Sequence, residues 1–365
     1  MIRLCAETSP GASYRWLNHY RGKKPLFVCV LSFTETALIP GISAAGDSQQ
    51  DRLGVAAADA NYLLAGTSLV PLSAGISPAV ITRSILCGQT IDCQLISTGL
   101  PKALSVPHLS LPQTIAKPIQ TGQAMTIAEA NMLFRLGRDL GCQLADQLAK
   151  QCQASYLVIG ECVVGGTTTA QAILTGLGYT VINQMSSSLR LGNHLKKQTL
   201  VKQGLANWKT RWNQPQEASA IGLVAAVGDP MQIVATGIAL SASQSCGVLL
   251  AGGSQMLAVY SLCKALAQEK RIVWQPEQVV VGTTRWVIED NSADTVAIAH
   301  QVGATYLASE ITFSQSPYMQ LRAYEQGFVK EGVGAGGCVI AAHLYGQWTR
   351  SQIRHAVEAQ LRLSI

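Results

Sequence analysis

The chain has 365 residues, of which 13% are charged and 48% are hydrophobic, and its formal net charge at pH 7 is +6. This length can bury a large core, and the sparse charge predicts secondary structure that is covered on both faces, as in a parallel sheet wrapped by helices. The positive charge is spread along the chain with few aromatic residues between the basic ones, which argues against nucleic-acid binding and suits a small anionic substrate.

The N-terminus and the cysteines indicate the compartment. The first residues, MIRLCAETSP, contain a glutamate and no apolar run as long as that of a signal peptide, so we expect a cytoplasmic protein. The 10 cysteines are scattered singly, without a CxxC pair or a Cys/His spacing typical of zinc. We therefore expect buried, reduced thiols and no bound metal.

Six short apolar runs along the chain have the composition of buried strands. Several are separated by segments with helical patterns, and this alternation predicts an α/β fold with a doubly wound, mostly parallel sheet. The predicted strands are residues 26–33, 156–160, 222–227, 247–251, 278–282 and 304–308.

Capping residues mark several helix starts. Thr126 and Glu129 form a capping-box pattern, Asp229 with the proline that follows it predicts a second start, and Thr349 a third. Residues 101–125, rich in Pro and Thr, indicate an extended connection.

A long uncharged run, residues 230–263, needs a separate interpretation. Serines and glycines divide it into pieces that are too short to span a bilayer. We interpret it as a buried helix, strand and helix, and predict no membrane segment.

The loop GECVVGGTTTA, after the second predicted strand, combines groups that suit a nucleotide. Gly165 and Gly166 allow the backbone to approach a ligand, and Thr167 and Thr168 offer hydroxyls at the start of the next helix, where phosphate or ribose fits. A tight turn with capping threonines is the alternative interpretation. Glu161 favours a site, because a carboxylate that directly follows an apolar strand needs a partner or a substrate.

Two further features lie at predicted strand exits or near them. The segment AGGSQM places Gly252, Gly253 and Ser254 after another buried run, either as a second wall of the same cleft or as a helix start built for packing. Lys197 offers a point charge for a phosphate, or is a solvated surface lysine.

The late segment KEGVGAGG contains Gly332 and Gly334 in a pattern similar to a dinucleotide fingerprint. No β-rich run leads into it and no acidic residue ends a following strand, which argues against an NAD-linked oxidoreductase. Glu331, beside a backbone with few side chains, suits a general base that contacts a flat ring. A surface glutamate next to a close helix contact is the alternative.

Together these loops resemble the nicotinate-nucleotide:dimethylbenzimidazole phosphoribosyltransferase family, in its divergent archaeal and cyanobacterial branch. The family loop Gly-Glu-Met-Gly-Ile-Gly-Asn-Thr-Thr-Pro-Ala aligns with residues 160–170 without a gap, with Gly166 in place of Asn. The family segment Gly-Glu-Gly-Ser-Gly-Ala is similar to residues 330–335. The family's Asp-Gly strand exit corresponds to Ala251 and the glycine after it, and its Asp-His pair to residues 34–36.

The resemblance implies transfer of the phosphoribosyl group of nicotinate mononucleotide to an aromatic base, such as dimethylbenzimidazole or adenine, in cobamide lower-ligand assembly, with no cofactor and no metal. It makes Glu331 the catalytic base and Lys197 the phosphate ligand, with Lys196 as a near competitor. The implied substrate-binding residues are Glu161, Gly165, Gly166, Thr167, Thr168, Lys197, Gly252, Gly253, Gln255, Gly332 and Gly334, and the implied acceptor-base pocket is Thr34, Glu35 and Thr36.

The resemblance also implies an architecture. A large α/β nucleotide-binding domain would span residues 26–312, and a small, mostly helical domain formed by residues 1–25 and 313–365 would carry Glu331; the family further implies a homodimer or higher oligomer. A catalytically silent nucleotide-binding protein of the same fold is the alternative. The missing acid at Ala251 and the altered residues 34–36 favour that alternative, and the retained Glu331 argues against it.

Overall fold

One sheet organises the computed structural model, which describes residues 2–150, 155–190, 192–211 and 218–363. Its strands are β1 (Ile2–Ala6), β2 (Leu26–Leu31), β3 (Cys93–Ser97), β4 (Leu109–Ser110), β5 (Tyr156–Cys162), β6 (Gly247–Ala251), β7 (Val279–Thr284) and β8 (Thr305–Ser309). The order across the sheet is β1-β8-β7-β6-β5-β2-β3-β4. Strand β1 is antiparallel to β8, and the other neighbouring pairs are parallel. The predicted α/β fold with a mostly parallel sheet is confirmed.

Helices cover both faces of this sheet. They are α1 (Ala12–Tyr20), α2 (Gln49–Ala65), α3 (Ala79–Gly88), α4 (Ile127–Lys150), α5 (Gly166–Gly176), α6 (His194–Lys209), α7 (Ala220–Val227), α8 (Pro230–Ala242), α9 (Ser254–Lys270), α10 (Arg285–Ile288), α11 (Thr295–Val302), α12 (Met319–Glu325), α13 (Ala335–Tyr345) and α14 (Arg350–Arg362). Alternate residues of β2 face opposite sides, as in any strand. Val28 and Val30 pack with α4 and α8, whereas Phe27 and Leu31 pack with α3 and α13.

The order of the strands reverses between β2 and β5. From β2 the chain moves outward through β3 and β4 to one edge, and from β5 it moves through β6, β7 and β8 towards the other. At such a reversal the loops that leave the two neighbouring strands diverge, and a crevice opens between them. The loop that begins after Cys162 therefore starts at the position where this fold class binds ligands.

Five of the six predicted strands are confirmed, as β2, β5, β6, β7 and β8. The prediction for residues 222–227 is wrong, because they lie in helix α7, whose start is capped by the Ser219 side chain accepting a hydrogen bond from the Gly222 N–H. Every residue of α7 is buried. A continuous apolar run has no periodicity that would separate a helix from a strand.

The predicted helix starts are confirmed. Thr126 and Glu129 exchange the reciprocal capping bonds ahead of α4, Asp229 caps α8, and Thr349 caps α14. The uncharged run 230–263 forms α8, β6 and most of α9, as predicted. None of the helices in the described parts of the chain is both long and apolar enough to cross a membrane.

The nine cysteines of the described residues are free thiols, and five of them are buried. Cys87 and Cys142 are exposed, so the prediction of buried thiols holds only in part. Cys152 lies outside the described residues.

The two chain ends, predicted to form a small domain, both contact the main sheet. Strand β1 extends its edge beside β8, and α13 lies on the face formed by β5 to β8. Helix α14 packs against α3. The division into domains at residues 26 and 312 stays a prediction.

Close packing of α13 against the sheet leads to a test at Gly337. A Cβ there would lie against the Cβ of Ala251 in β6 and 2.9 Å from its Cα. Gly337→Ala is therefore expected to lower the free energy of unfolding by about 1–3 kcal/mol in urea denaturation.

Gly54→Ala is the matched control. Gly54 lies inside α2, and the nearest atoms to an added Cβ would be the flexible end of Lys102. This change should leave stability unchanged or raise it by about 0.5–1 kcal/mol. Equal losses in the two variants would contradict the proposed packing constraint.

Candidate functional site

A cavity of about 220 Å³ lies at the carboxyl ends of the central strands. Much of its wall comes from the end of β5 with the loop after it, the start of α9, residues 186–190 and residues 328–333. Helix α2, residues 43–45, residues 70–78 and Val287 complete the lining. Eight of the predicted site residues line it: Glu161, Gly165, Gly166, Thr167, Gly253, Gln255, Glu331 and Gly332.

The loop after β5 turns sharply into α5 because of its two glycines. Gly165 has a φ of 81°, the left-handed region that favours glycine, and it occupies the N-cap position of α5. A Cβ on Gly166 would collide with the side-chain oxygen of Gln255. The absence of a side chain at Gly166 therefore leaves room for Gln255 to reach Glu161, to which it donates a hydrogen bond of 2.8 Å.

Glu161, in β5, is a buried carboxyl with few partners. Its oxygens accept hydrogen bonds from Gln255 Nε2 at 2.8 Å and from the Val163 N–H at 3.0 Å. Burial, reinforced by the nearby Asp229 and Glu331, raises the pKa of Glu161 to about 8. A carboxyl tuned in this way can exchange a proton near neutral pH.

Glu331 accepts more hydrogen bonds than Glu161 does. One carboxylate oxygen accepts from the Thr283 hydroxyl and the Thr284 N–H, both at 2.9 Å. The other accepts from the N–H groups of Gly332, at 3.2 Å, and Gly336, at 3.0 Å. Burial raises the pKa of Glu331, and the hydrogen bonds from these N–H and hydroxyl groups oppose that rise. The carboxylate is thus fixed at the cavity between the end of β7 and the start of α13.

Several buried polar atoms at the cavity have no hydrogen-bond partner among the described residues. They are Ser187 Oγ, Ser254 Oγ and Gln255 Oε1. Buried polar atoms are normally paired with protein, ligand or water. Their clustering here, with two carboxylates, indicates a site that binds a polar ligand.

Lys197 does not line the cavity. Its side chain is completely buried in α6, and its Nζ has no hydrogen-bond partner among the residues described. Burial, with a contribution from the nearby Lys330, lowers the pKa of Lys197 to about 7. Lys196, its competitor for the phosphate role, instead donates to the carbonyl oxygen of Pro40 at the surface.

Three other predicted residues lie behind the cavity wall. Thr168 is buried with an unpaired hydroxyl among the described groups. The N–H of Gly252 donates to the carbonyl of Gly282 at 2.8 Å. Gly334, with a φ of 73°, begins α13, and a Cβ there would lie 3.1 Å from the Cα of Gly160. These two glycines serve the packing of the strands and helices around the site.

The structure does not bring the predicted acceptor-base residues to this cavity. The Thr34 hydroxyl caps a short 3₁₀ turn by accepting from the Thr36 N–H at 3.2 Å. The Thr36 hydroxyl accepts from the Ile119 N–H at 3.1 Å, and Glu35 is exposed. The Thr36 hydroxyl therefore holds the loop after β2 to a neighbouring loop, and the Thr34 hydroxyl is used within the loop itself.

Sequence reasoning missed the wall that faces this loop from α2. Asp59 lines the cavity and is almost fully buried, accepting a hydrogen bond from Ser77 Oγ at 2.6 Å. Burial raises the pKa of Asp59 to about 6. Val55, Val70 and Leu72 line the cavity beside it. The only signal in the sequence was a single acid within the alanine-rich stretch VAAADA of a helix.

Sequence reasoning also missed residues 186–190, SSSLR, and their contacts with Lys330 and Asp290. Ser186 donates to Asp290 at 2.8 Å, and Lys330 forms an ion pair with the same carboxylate at 2.7 Å. Three consecutive serines followed by an arginine were the available signal. The described residues contain no group of three His, Cys, Asp or Glu side chains arranged to hold a metal.

Two solved structures share this fold. CobT from Thermus thermophilus has a TM-score of 0.62 and 16% identity, with 96% of this chain and 92% of that one covered. The nicotinate-nucleotide-dimethylbenzimidazole phosphoribosyltransferase from the same organism has a TM-score of 0.58 and 14% identity, over 98% and 92% of the two chains. At these identities the likeness shows the fold.

Sequence comparison decides the family. A family model described as "Phosphoribosyltransferase" matches residues 88–276, just over half of the chain. The UPF0284 protein of Acaryochloris marina is 47% identical over 368 residues, covering 99% of this chain and 97% of that protein. The chain belongs to the nicotinate-nucleotide:dimethylbenzimidazole phosphoribosyltransferase family. The UPF0284 protein of Cyanothece sp. (strain PCC 7425), 48% identical over 358 residues with 96% and 95% coverage, also fits the cyanobacterial branch of this family.

Replacing Glu161 with Gln is expected to change how stability depends on pH. A carboxyl whose pKa is about 8 when folded and 4.5 when unfolded stabilises the fold at low pH, and that contribution is lost as the pH rises through 8. The glutamine side chain does not titrate, so the variant does not lose stability in this way. The variant should therefore gain on the order of 3–5 kcal/mol in unfolding free energy, relative to the unsubstituted protein, between pH 4.5 and pH 8.

Urea unfolding at both pH values measures this difference. Glu35→Gln, at an exposed glutamate, is the control and should follow the unsubstituted protein. If the unfolding free energies of Glu161→Gln and the unsubstituted protein change in parallel with pH, the ionisation of Glu161 does not destabilise the fold.

Proposed function

We propose that the protein transfers the phosphoribosyl group of nicotinate mononucleotide to an aromatic base, giving an α-ribotide and nicotinate for cobamide lower-ligand assembly. Membership of a phosphoribosyltransferase family supports the class of reaction. The observation that carries the proposal is that Glu331 and the turn at Gly166 line one cavity, although they are far apart in the sequence.

The electrostatics of the cavity suit the donor substrate. A pyridinium ring bears a positive charge, and Glu161 and Glu331 both line the cavity with pKa values that burial raises. A cation between two carboxylates favours their ionised forms, so binding of the nucleotide would lower both pKa values. Binding of nicotinate mononucleotide would thereby ionise a carboxyl at the cavity, and the ionised carboxylate can act as a base.

The chemistry requires one proton acceptor. A ring nitrogen of the acceptor attacks the anomeric carbon of the ribose, and the bond from that carbon to the pyridinium nitrogen breaks, with its electron pair leaving on nicotinate. Glu331 takes the proton that the acceptor nitrogen loses. To accept this proton, the carboxylate gives up one of its four hydrogen bonds, of which the longest comes from the Gly332 N–H, at 3.2 Å. The remaining contribution of the cavity is to hold the rings and ribose in line.

The wall formed by α2 and residues 70–78 suits the acceptor base. Val55, Val70 and Leu72 offer apolar contacts to a flat ring, and Asp59 offers a buried hydrogen-bond acceptor beside them. This assignment replaces the loop at residues 34–36, whose hydroxyls are used elsewhere. We further propose that the protein acts as a homodimer or higher oligomer, as its family membership suggests.

Glu331→Gln tests the base directly. Because the amide cannot accept the proton, kcat for release of nicotinate from nicotinate mononucleotide should fall by roughly 10²- to 10⁴-fold. Steady-state assays with dimethylbenzimidazole and adenine measure it. Glu325→Gln, a glutamate outside the cavity wall, is a control for general loss of a carboxylate. Unchanged turnover in Glu331→Gln would reject Glu331 as the base.

Lys197→Met separates binding from stability. Removing a buried amine without a hydrogen-bond partner among the described residues should raise the melting temperature, because the folded state no longer holds a desolvated cation. If Lys197 contacts the phosphate, the same variant should bind nicotinate mononucleotide at least 10-fold more weakly in calorimetry, a change of about 1.4 kcal/mol. Lys196→Met is the neighbouring control. Unchanged affinity in Lys197→Met, with weaker binding in Lys196→Met, would reverse the assignment.

One observation favours the second candidate, a nucleotide-binding protein without turnover. Glu331 accepts four hydrogen bonds, which fill the lone pairs of a carboxylate. Thermal shift and nicotinate release, measured together with nicotinate mononucleotide and several bases, distinguish the two candidates. Stabilisation without released nicotinate would favour the binding protein.

A further inference from the structure

The segment that carries Glu331 has an unusual backbone. Val329, Lys330 and Val333 have φ values of 66°, 65° and 53°, in the left-handed region that L residues rarely adopt. For the two valines, which are branched at Cβ, this conformation is a clear outlier. Residues 329–334, here called the left-handed segment, also contain Gly332 and Gly334 with positive φ.

Two tight turns follow one another in this segment. The Lys330 N–H donates to the Phe328 carbonyl at 2.8 Å, and the Glu331 N–H donates to the Val329 carbonyl at 2.9 Å. Each closes a three-residue turn whose central residue has positive φ, which is the rare and strained form of such a turn. Strain of this kind persists only where the surrounding structure holds it in place.

A buried ion pair joins this segment to the residues around it. Lys330 Nζ lies 2.7 Å from an Asp290 carboxylate oxygen, and the two side chains are 2% and 4% exposed. The same Nζ donates to the Leu189 carbonyl at 2.9 Å. Asp290 is fully engaged, since it also accepts from the hydroxyls of Ser186 and Ser292 at 2.8 and 2.7 Å. A buried ion pair with its remaining bonds satisfied in this way resists separation.

Thr284 links the ion pair to Glu331. The Lys330 carbonyl accepts from Thr284 Oγ1 at 2.6 Å, and the N–H of the same Thr284 donates to the Glu331 carboxylate at 2.9 Å. Moving Lys330 therefore moves the residue that binds Glu331 as well as the backbone that carries it. Burial, and then the charge of Lys330, lowers the pKa of the nearby Lys197, whereas Lys330 Nζ lies within ion-pair distance of Asp290.

The geometry points to Lys330 and Asp290 as positioning residues, whose buried ion pair holds the left-handed segment so that Glu331 is fixed at the cavity. This inference rests on the proposed function for its kinetic consequence, because Glu331 is the proton acceptor there. Neither residue needs to touch the substrate. Their effect is on where the carboxylate lies.

Paired neutral variants test the inference without leaving a buried charge unpaired. Lys330→Met with Asp290→Asn removes the ion pair and keeps a side chain in the left-handed conformation. Hydrogen–deuterium exchange of peptides covering residues 326–338 should become at least 10-fold faster, and kcat should fall 10- to 100-fold. The KM for nicotinate mononucleotide should stay within about twofold.

Lys330→Gly with Asp290→Asn is the second variant. Glycine adopts positive φ without strain, so this protein should recover part of the lost kcat and part of the exchange protection. Lys24→Met with Asp92→Asn, which removes an exposed ion pair of 3.3 Å, is the matched control and should change neither measurement.

Several outcomes would overturn the inference. Unchanged exchange of residues 326–338 in the Met variant would show that the pair does not hold the segment. A raised KM with unchanged kcat would assign Lys330 to nucleotide binding, and unfolding of both double variants would assign the pair to the fold as a whole. If the unsubstituted protein releases no nicotinate, the proposed function fails, and hydrogen exchange alone still decides whether the pair holds the segment.

Discussion

A backbone hydrogen bond joins the two segments that carry Glu161 and Glu331. The N–H of Val333 donates to the carbonyl of Glu161 at 3.0 Å, and so attaches the left-handed segment to the end of the central strand β5. Thr82 fixes the same point by donating its hydroxyl to the Val333 carbonyl at 2.8 Å. The cavity lies at this junction, because Glu161 and Val333 both line it.

The fold keeps ionisable groups at positions where burial opposes their charged forms. Glu161, Asp59 and Lys197 are all buried with pKa values shifted towards their neutral forms, to about 8, 6 and 7. Apolar residues at these positions would give a more stable protein. Glu161 and Asp59 both line the cavity, and groups that shift in this direction around one cavity are typical of functional sites rather than of structural ion pairs. The contrast lies at Asp290, where burial would raise the pKa but the hydrogen bonds from Lys330, Ser292 and Ser186 hold it below its usual value.

Much of the site was predictable because its signals are local. Glycines, threonines and an acid at a strand exit describe the loop after β5 without knowledge of the rest of the chain, and the same holds for Glu331 among its glycines. Asp59 was not predictable, because its meaning depends on α2 packing beside Cys162, 103 residues away in sequence.

Two predictions used local composition alone. Residues 34–36 have the composition of a binding loop, yet the Thr36 hydroxyl is taken by the distant N–H of Ile119. Residues 222–227 have the composition of a strand, but uniform burial erased the periodicity that would have identified helix α7. Local composition identified neither the distant partner of Thr36 nor the helix at residues 222–227.

The position of α13 has a consequence for synthesis on the ribosome. This helix covers the apolar face of β5 to β8, yet it begins at Ala335, after the last of these strands. The strands are therefore translated before the helix that covers them. A nascent chain that has not yet reached this helix therefore exposes an apolar sheet face, and transiently exposed surface of this kind is prone to aggregation.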